Sequence, residues 1–171
     1  AEELDYIVSH EKRNTFLCDL LHHLNGNTLC LFQLVEKHGK VLYERMKGKE
    51  NVYFVYGATS AEQREEIRTI VDKSKNSTTI ASYGTFSTGI NIRNINNIVL
   101  ASPSKSKIRV LQSIGRGLRT SSSKDSILVF DIADDISYKG RYNFTLNHFF
   151  ERLNIYNEEQ FNYELSKVKI K

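Results

Sequence analysis

Cysteine is scarce: Cys18 and Cys30 are the only two in 171 residues. They form no C-x-x-C pair, and the five histidines lack zinc-ligand spacing, which excludes a disulfide scaffold and a zinc module. No apolar run approaches the ~20 residues that a membrane-spanning helix needs. The acidic start, Ala1-Glu2-Glu3, has none of the apolar stretch of a secretory signal. Because Ala1 is not a methionine, the sequence reads as a piece of a longer protein. Few thiols and no targeting segment fit a reducing cytoplasm.

Several ligand signatures are also missing. A G-x-x-x-x-G-K-[ST] loop does not occur, so the chain alone is not expected to bind ATP in the phosphate-loop manner. A G-x-G-x-x-G does not follow the first strand, which argues against a dinucleotide domain. The G-x-S-x-G nucleophile elbow is likewise absent.

What is present is a globular composition, 40% hydrophobic and 26% charged, which excludes a disordered tail or a fibrous repeat. The formal charge of +4 and pI near 9.0 are compatible with an anionic polymer, yet many plain enzymes are as basic. Placement of the cations must decide.

Along the chain, apolar strands alternate with helices. Ser9 is a plausible N-cap for a helix carrying Leu17, Leu20, Leu21 and Leu24, stopped by Asn25-Gly26-Asn27. Residues 28–34 read as a strand buried on both faces, followed by a helix over 37–46. A strand at 52–56 precedes a capping box, Ser60-Ala61-Glu62-Gln63, which opens a helix with Ile67, Ile70 and Val71 on one face. Strands at 78–81 and 98–101 flank a polar loop, and Ser102-Pro103 stops the second of them. A helix over 107–118 leads to a last buried strand at 127–130. This alternation is the mark of βαβ units around a parallel sheet flanked by helices. From Tyr138 the texture changes to two amphipathic helices, 143–153 and 158–168, forming a helical extension (138–171) packed on the sheet domain (1–137).

In such a sheet, ligands gather at the carboxyl ends of the strands. The loop Ser82-Tyr83-Gly84-Thr85-Phe86-Ser87-Thr88-Gly89-Ile90-Asn91 concentrates hydroxyls around two glycines, which suits close approach of a phosphate or sugar and equally suits a plain polar loop. Gln112-Ser113-Ile114-Gly115-Arg116-Gly117-Leu118-Arg119 places two glycines in a helix, each costing ~1 kcal/mol relative to alanine. Arg116 and Arg119 share a helical face and could grip phosphates with forked hydrogen bonds. The alternative is a solvated basic helix end, which leaves the glycines unexplained. Asp131, Asp134 and Asp135 could suggest Mg²⁺, but a capped turn is the preferred reading. For His22-His23 one packed and one exposed ring is expected, and Phe144, Phe149, Phe150 and Phe161 are assigned to the core rather than to base stacking. The basic tail with Lys167, Lys169 and Lys171 could bind phosphates nonspecifically or simply fray.

The two loops together carry a resemblance. Gln112-x-x-Gly115-Arg116-x-x-Arg119 resembles motif VI of superfamily 2 helicases, and Ser87-Thr88-Gly89-Ile90-Asn91 resembles their motif V. Gln33 at the end of the first strand resembles motif IV, and Tyr56-Gly57-Ala58-Thr59 the short motif after it. Within that superfamily the chain is most similar to phage recombination-repair helicases. The resemblance implies the second RecA-like domain, spanning residues 10–135, of an ATP-dependent helicase or translocase acting on DNA or an RNA–DNA hybrid.

The resemblance also implies roles. ATP with Mg²⁺ would be held mainly by an N-terminal RecA-like domain of the same protein. Arg116 and Arg119 would face the γ-phosphate as arginine fingers, with Gln112 beside it. Gly89 and Asn91 would approach the ribose; many family members carry Asp where Asn91 stands, so a charge is lost there while hydrogen bonding survives. Gln33, Gly57, Thr59, Ser82, Tyr83, Ser87 and Thr88 would lie along the nucleic acid. The setting would be cytoplasmic, the host's if a phage encodes it. The competing reading is a RecA-like domain without catalysis that binds nucleic acid or protein.

Overall fold

The computed structural model describes residues 2–86, 94–120 and 126–170, with 118–120 described in backbone alone. Helices α1 (Glu2–Ser9) and α2 (Glu11–His23) precede strand β1 (Asn27–Phe32). A π-helical turn, Val35–Gly39, leads into α3 (Lys40–Arg45). Then come β2 (Val52–Val55), α4 (Ala61–Lys73), β3 (Ser77–Ser82), the short α5 (Tyr83–Phe86) and β4 (Asn97–Leu100). Helix α6 (Ser106–Thr120), β5 (Leu128–Asp131) and α7 (Phe144–Glu158) complete the order.

The five strands form one sheet in the order β2-β3-β1-β4-β5, with every pairing parallel. Strand β1 is central and buried at every position. Its residues point alternately into two apolar layers, so neighbouring positions must all be apolar or otherwise satisfied. Leu29 and Leu31 join Ile98, Leu100, Leu111 and Ile114 on one face. Cys30 and Phe32 join Leu17, Leu21, Leu42 and Val99 on the other. Helix α7 belongs to the first layer through Tyr156, with Phe149 and Leu153 packed against it.

Several local expectations are corrected. His10 rather than Ser9 caps α2: its Nδ1 accepts the Arg13 N–H at 3.2 Å, while Ser9 closes α1 by donating to the Asp5 carbonyl. The helix expected over 37–46 starts as the π-helical turn. Ser60 does cap α4, accepting the Gln63 N–H at 3.1 Å, but Ile70 faces solvent while Val71 is buried. The last strand is an edge strand paired on one side only, which leaves Leu128 exposed rather than buried. His22 and His23 are both exposed.

The second C-terminal helix does not form. Gln160 takes φ 58°, a left-handed conformation that ends a helix, and residues 161–170 run without helix or strand. Phe161 turns back instead, donating its N–H to the Tyr156 carbonyl at 2.9 Å and packing on the first layer. Phe149 packs there too, but Phe144 and Phe150 are exposed, against the core assignment.

Candidate functional site

The carboxyl ends of β1, β4 and β5 converge on a belt of buried polar groups. At its middle is Asp131, the last residue of β5. Lys107 Nζ donates to its Oδ1 at 3.0 Å, and Arg152 forks onto both oxygens at 2.7 and 3.0 Å. The Tyr156 hydroxyl donates to Oδ2 as well. Burial alone would raise the Asp131 pKa, but the two cations outweigh it and hold the carboxyl well below its usual range. For Lys107 burial wins: the ammonium falls to about 8 despite its carboxylate partner. The cluster ties the first turn of α6 to β5 and α7.

A second clamp lies beside it. Arg13 Nε and Nη2 reach Asp134 at 2.6 and 3.0 Å, and Nη2 also donates to the Ala101 carbonyl at 2.7 Å. His38 is buried between Ser102 and Asn14. Asn14 Nδ2 donates to the Val8 carbonyl, so its Oδ1 faces the imidazole and must accept from Nε2. His38 Nδ1 is then the acceptor for the Ser102 hydroxyl. Burial, with the Arg13 charge adding to it, lowers the His38 pKa to about 3, so the ring is neutral. The triplet of aspartates therefore divides. Asp131 and Asp134 anchor buried cations, and Asp135 accepts from the Ser137 N–H in a turn. Only Asp135 matches the expected capped turn. Lys107, Arg152, Arg13 and His38 escaped sequence reasoning because a lone charge in a helix carries no signal until its partner is known.

Above this belt sit the motif residues. Gln33 is exposed after β1, and its Oε1 accepts from Ser104 Oγ at 2.7 Å. Ser104 Oγ also accepts the Ser106 N–H at 3.0 Å, capping α6. One hydroxyl thus joins the loop after β1 to the start of the arginine helix. Thr59 folds the turn at 56–59 by accepting the Tyr56 N–H at 3.0 Å, and Gly57 is exposed at its tip. Arg64 fastens that turn from beneath, donating to the carbonyls of Tyr56, Gly57 and Thr59. Ser82 is half-buried at the end of β3. Tyr83 is buried, and its hydroxyl donates to the Ser102 carbonyl at 2.7 Å, so its ring serves packing.

On α6, Gln112 is half-buried and Arg116 is exposed, its Nη2 donating to Ser113 Oγ at 3.3 Å. Gly115 is buried for a reason within this chain: a Cβ there would stand 3.0 Å from Glu159 Oε2 and 3.3 Å from Phe161 Cζ. Ser87, Thr88, Gly89 and Asn91 lie outside the described residues, as does the Arg119 side chain. Among the described residues, no group of three His, Cys, Asp or Glu is placed to hold a metal ion, and no helix is long and apolar enough to cross a membrane. Among the described residues of the motif at 112–119, Arg116 carries the exposed guanidinium.

Residues 12–121 match the helicase conserved C-terminal domain. The chain is 35% identical over 183 residues to the ATP-dependent DNA helicase uvsW of Enterobacteria phage T4, an alignment covering 99% of this chain and 36% of the relative. It is 34% identical over 104 residues to the putative ATP-dependent helicase IRC3 of Saccharomyces cerevisiae, covering 59% of this chain and 15% of that protein. The crystal structure of T4 UvsW matches with a TM-score of 0.80 at 36% identity, over 98% of this chain and 36% of the solved one. The sheet and its flanking helices are therefore RecA-like. The chain spans only about a third of the length of the phage relative.

Proposed function

The chain belongs to the helicase conserved C-terminal domain family, and from that premise we propose that it is the second motor half of an ATP-dependent DNA helicase or translocase acting on recombination, repair or replication intermediates. In this reading residues 1–137 are the RecA-like half and 138–171 an extension packed on it. The observation that carries the reading is the mounting of Arg116. It is exposed on α6, while Lys107, Val110, Leu111 and Ile114 on the same helix are buried. A guanidinium on an anchored helix loses little order when it meets a phosphate, which is what preorganised charge stabilisation requires.

Bound ATP with Mg²⁺ would supply the scissile phosphoanhydride, held by an N-terminal RecA-like domain. Arg116 and Arg119 would neutralise charge on the γ-phosphate from across the cleft, and Gln112 would hydrogen-bond beside it. Gly89 and Asn91 would contact the ribose. Gln33, Gly57, Thr59, Ser82, Ser87 and Thr88 would track a DNA strand or an RNA–DNA hybrid. Tyr83 is left out of that set because its ring is buried. Opening and closing of the cleft would then move the grip of one half along the strand.

In the complete protein, Arg116→Ala should lower kcat by ~10³-fold or more and spare DNA affinity. Arg116→Lys should fail nearly as badly, because Lys keeps the charge but not the planar fork. A two-fold loss would reduce Arg116 to a surface cation and leave the non-catalytic binding reading standing.

A further inference from the structure

The segment after β5 contains a feature that the motor reading does not use. Tyr138 and Arg141 exchange backbone hydrogen bonds at 3.1 and 3.0 Å, closing a two-residue turn. Its central residues, Lys139 at φ 50° and Gly140 at φ 76°, both take the left-handed conformation of a tight hairpin turn. Asn143 locks the base of the segment, donating to the Asp134 carbonyl at 2.9 Å and accepting the Ile136 N–H at 3.0 Å. With that side chain occupied, Glu3 of α1 caps α7 in its place, accepting the N–H groups of Phe144 and Thr145 at 2.9 and 2.7 Å. The turn is thus tied at both ends to the fold.

This fixed turn holds aromatic rings in solvent. Tyr138 is 73% exposed, Tyr142 61% and Phe144 67%. Tyr142 stands edge-on to Phe150 at 5.2 Å, and Phe144 edge-on to His148 at 4.6 Å, contacts that steady the rings without covering them. Lys139 and Arg141 lie between the aromatics, and no acidic residue occurs from Ile136 through Phe150 in a chain that has 20. The carboxylates of Glu3 and Asp135, which touch the segment, already accept backbone N–H groups, and that of Asp134 is paired with Arg13.

We propose that residues 138–144, outside the helicase motifs, form a contact for single-stranded nucleic acid in which Tyr138, Tyr142 and Phe144 stack on bases while Lys139 and Arg141 meet phosphates. The chemistry favours this occupant over a protein. The segment carries no carboxylate from Ile136 through Phe150, and its exposed rings are interleaved with cations, which suits a polyanion whose bases stack while its phosphates are neutralised. The rings cost little to order because the turn already holds them.

The inference rests on the reading that the complete protein works on nucleic acid, so the complete protein is the one to test. The probe is a fluorescently labelled oligo(dT), read by anisotropy across a salt series, with ATP hydrolysis measured in parallel. Tyr142→Ala should weaken binding by roughly 5-fold to 100-fold, the loss of one stacked base. Tyr142→Leu should lose as much while keeping an apolar neighbour for Phe150, and Tyr142→Phe should retain the affinity. Arg141→Ala should lower the salt slope by about one. If wild type binds and all four variants bind equally well, the inference is overturned and the motor reading stands. Variants that keep oligo(dT) affinity but lose hydrolysis would assign the turn to a protein contact and overturn it too. A wild type that neither binds oligo(dT) nor hydrolyses ATP would overturn both readings together.

Discussion

Phe161 approaches to within 3.3 Å of where a Cβ on Gly115 would stand, so the glycine of the arginine helix makes room for a ring of the chain's own C-terminal segment. Gly115→Leu should therefore overpack this contact and cost ~1–3 kcal/mol. In a Phe161→Ala background the same change should cost less, because the ring is gone and only the flexible Glu159 carboxylate must give way. A double-mutant cycle from urea denaturation reads this directly. Additive effects would mean that the glycine answers to something else.

Asp131 is the shared acceptor of three buried donors. Asp131→Asn keeps the shape but leaves Lys107 and Arg152 without a counter-charge, which should cost ~3–5 kcal/mol. Lys107→Met should cost less, since Arg152 can still pair with Asp131. Urea unfolding that ranks the two variants the other way would remove Asp131 from the centre of the cluster.

His38 makes the fold sensitive to acid. Its folded pKa of about 3 lies below the ordinary 6.5, so the unfolded chain binds the extra proton between those values and stability falls as pH drops through that window. A single such proton contributes at most ~1.4 kcal/mol per pH unit. Comparing unfolding at pH 6.5 and 5, before most carboxylates titrate, wild type should lose stability along this slope. His38→Gln, though less stable at neutral pH, should show a flatter dependence. Parallel slopes would place the titration elsewhere.

The 171-residue chain by itself should hydrolyse no ATP above background, because it has no phosphate loop. Its affinity for a single-stranded oligonucleotide should be weak and should fall steeply with salt. Steady-state phosphate release and a salt titration check both. Robust hydrolysis by this chain would defeat the shared-site reading.

Much of the sheet was legible because its evidence is local. The run at 28–34 reads as a doubly buried strand, and β1 is buried at every position but ends at Phe32, with Gln33 exposed. The stretch from Gln112 to Arg119 reads as lying in a helix, and α6 carries it. The reasons behind two features were not legible. Gly115 invited a ligand in one dimension, whereas in three it faces Phe161, a residue 46 positions away. Phe144, Phe149 and Phe150 all read as core residues of one helix, yet of the three only Phe149 meets the core, since neighbours such as 149 and 150 lie about 100° apart around a helix and cannot share its buried face.

The sequence by itself determined the parallel α/β order and the positions of the motif residues, because apolar periodicity, a capping serine and glycine breaks act over a few neighbours. Tertiary structure alone decided which charges are buried and with whom. Arg13 finds Asp134 across 121 positions, Lys107 and Arg152 converge on Asp131, and His38 becomes neutral between Ser102 and Asn14. Desolvation depends on what packs overhead, and an ion pair on a distance through space. Neither quantity exists until the strands are side by side.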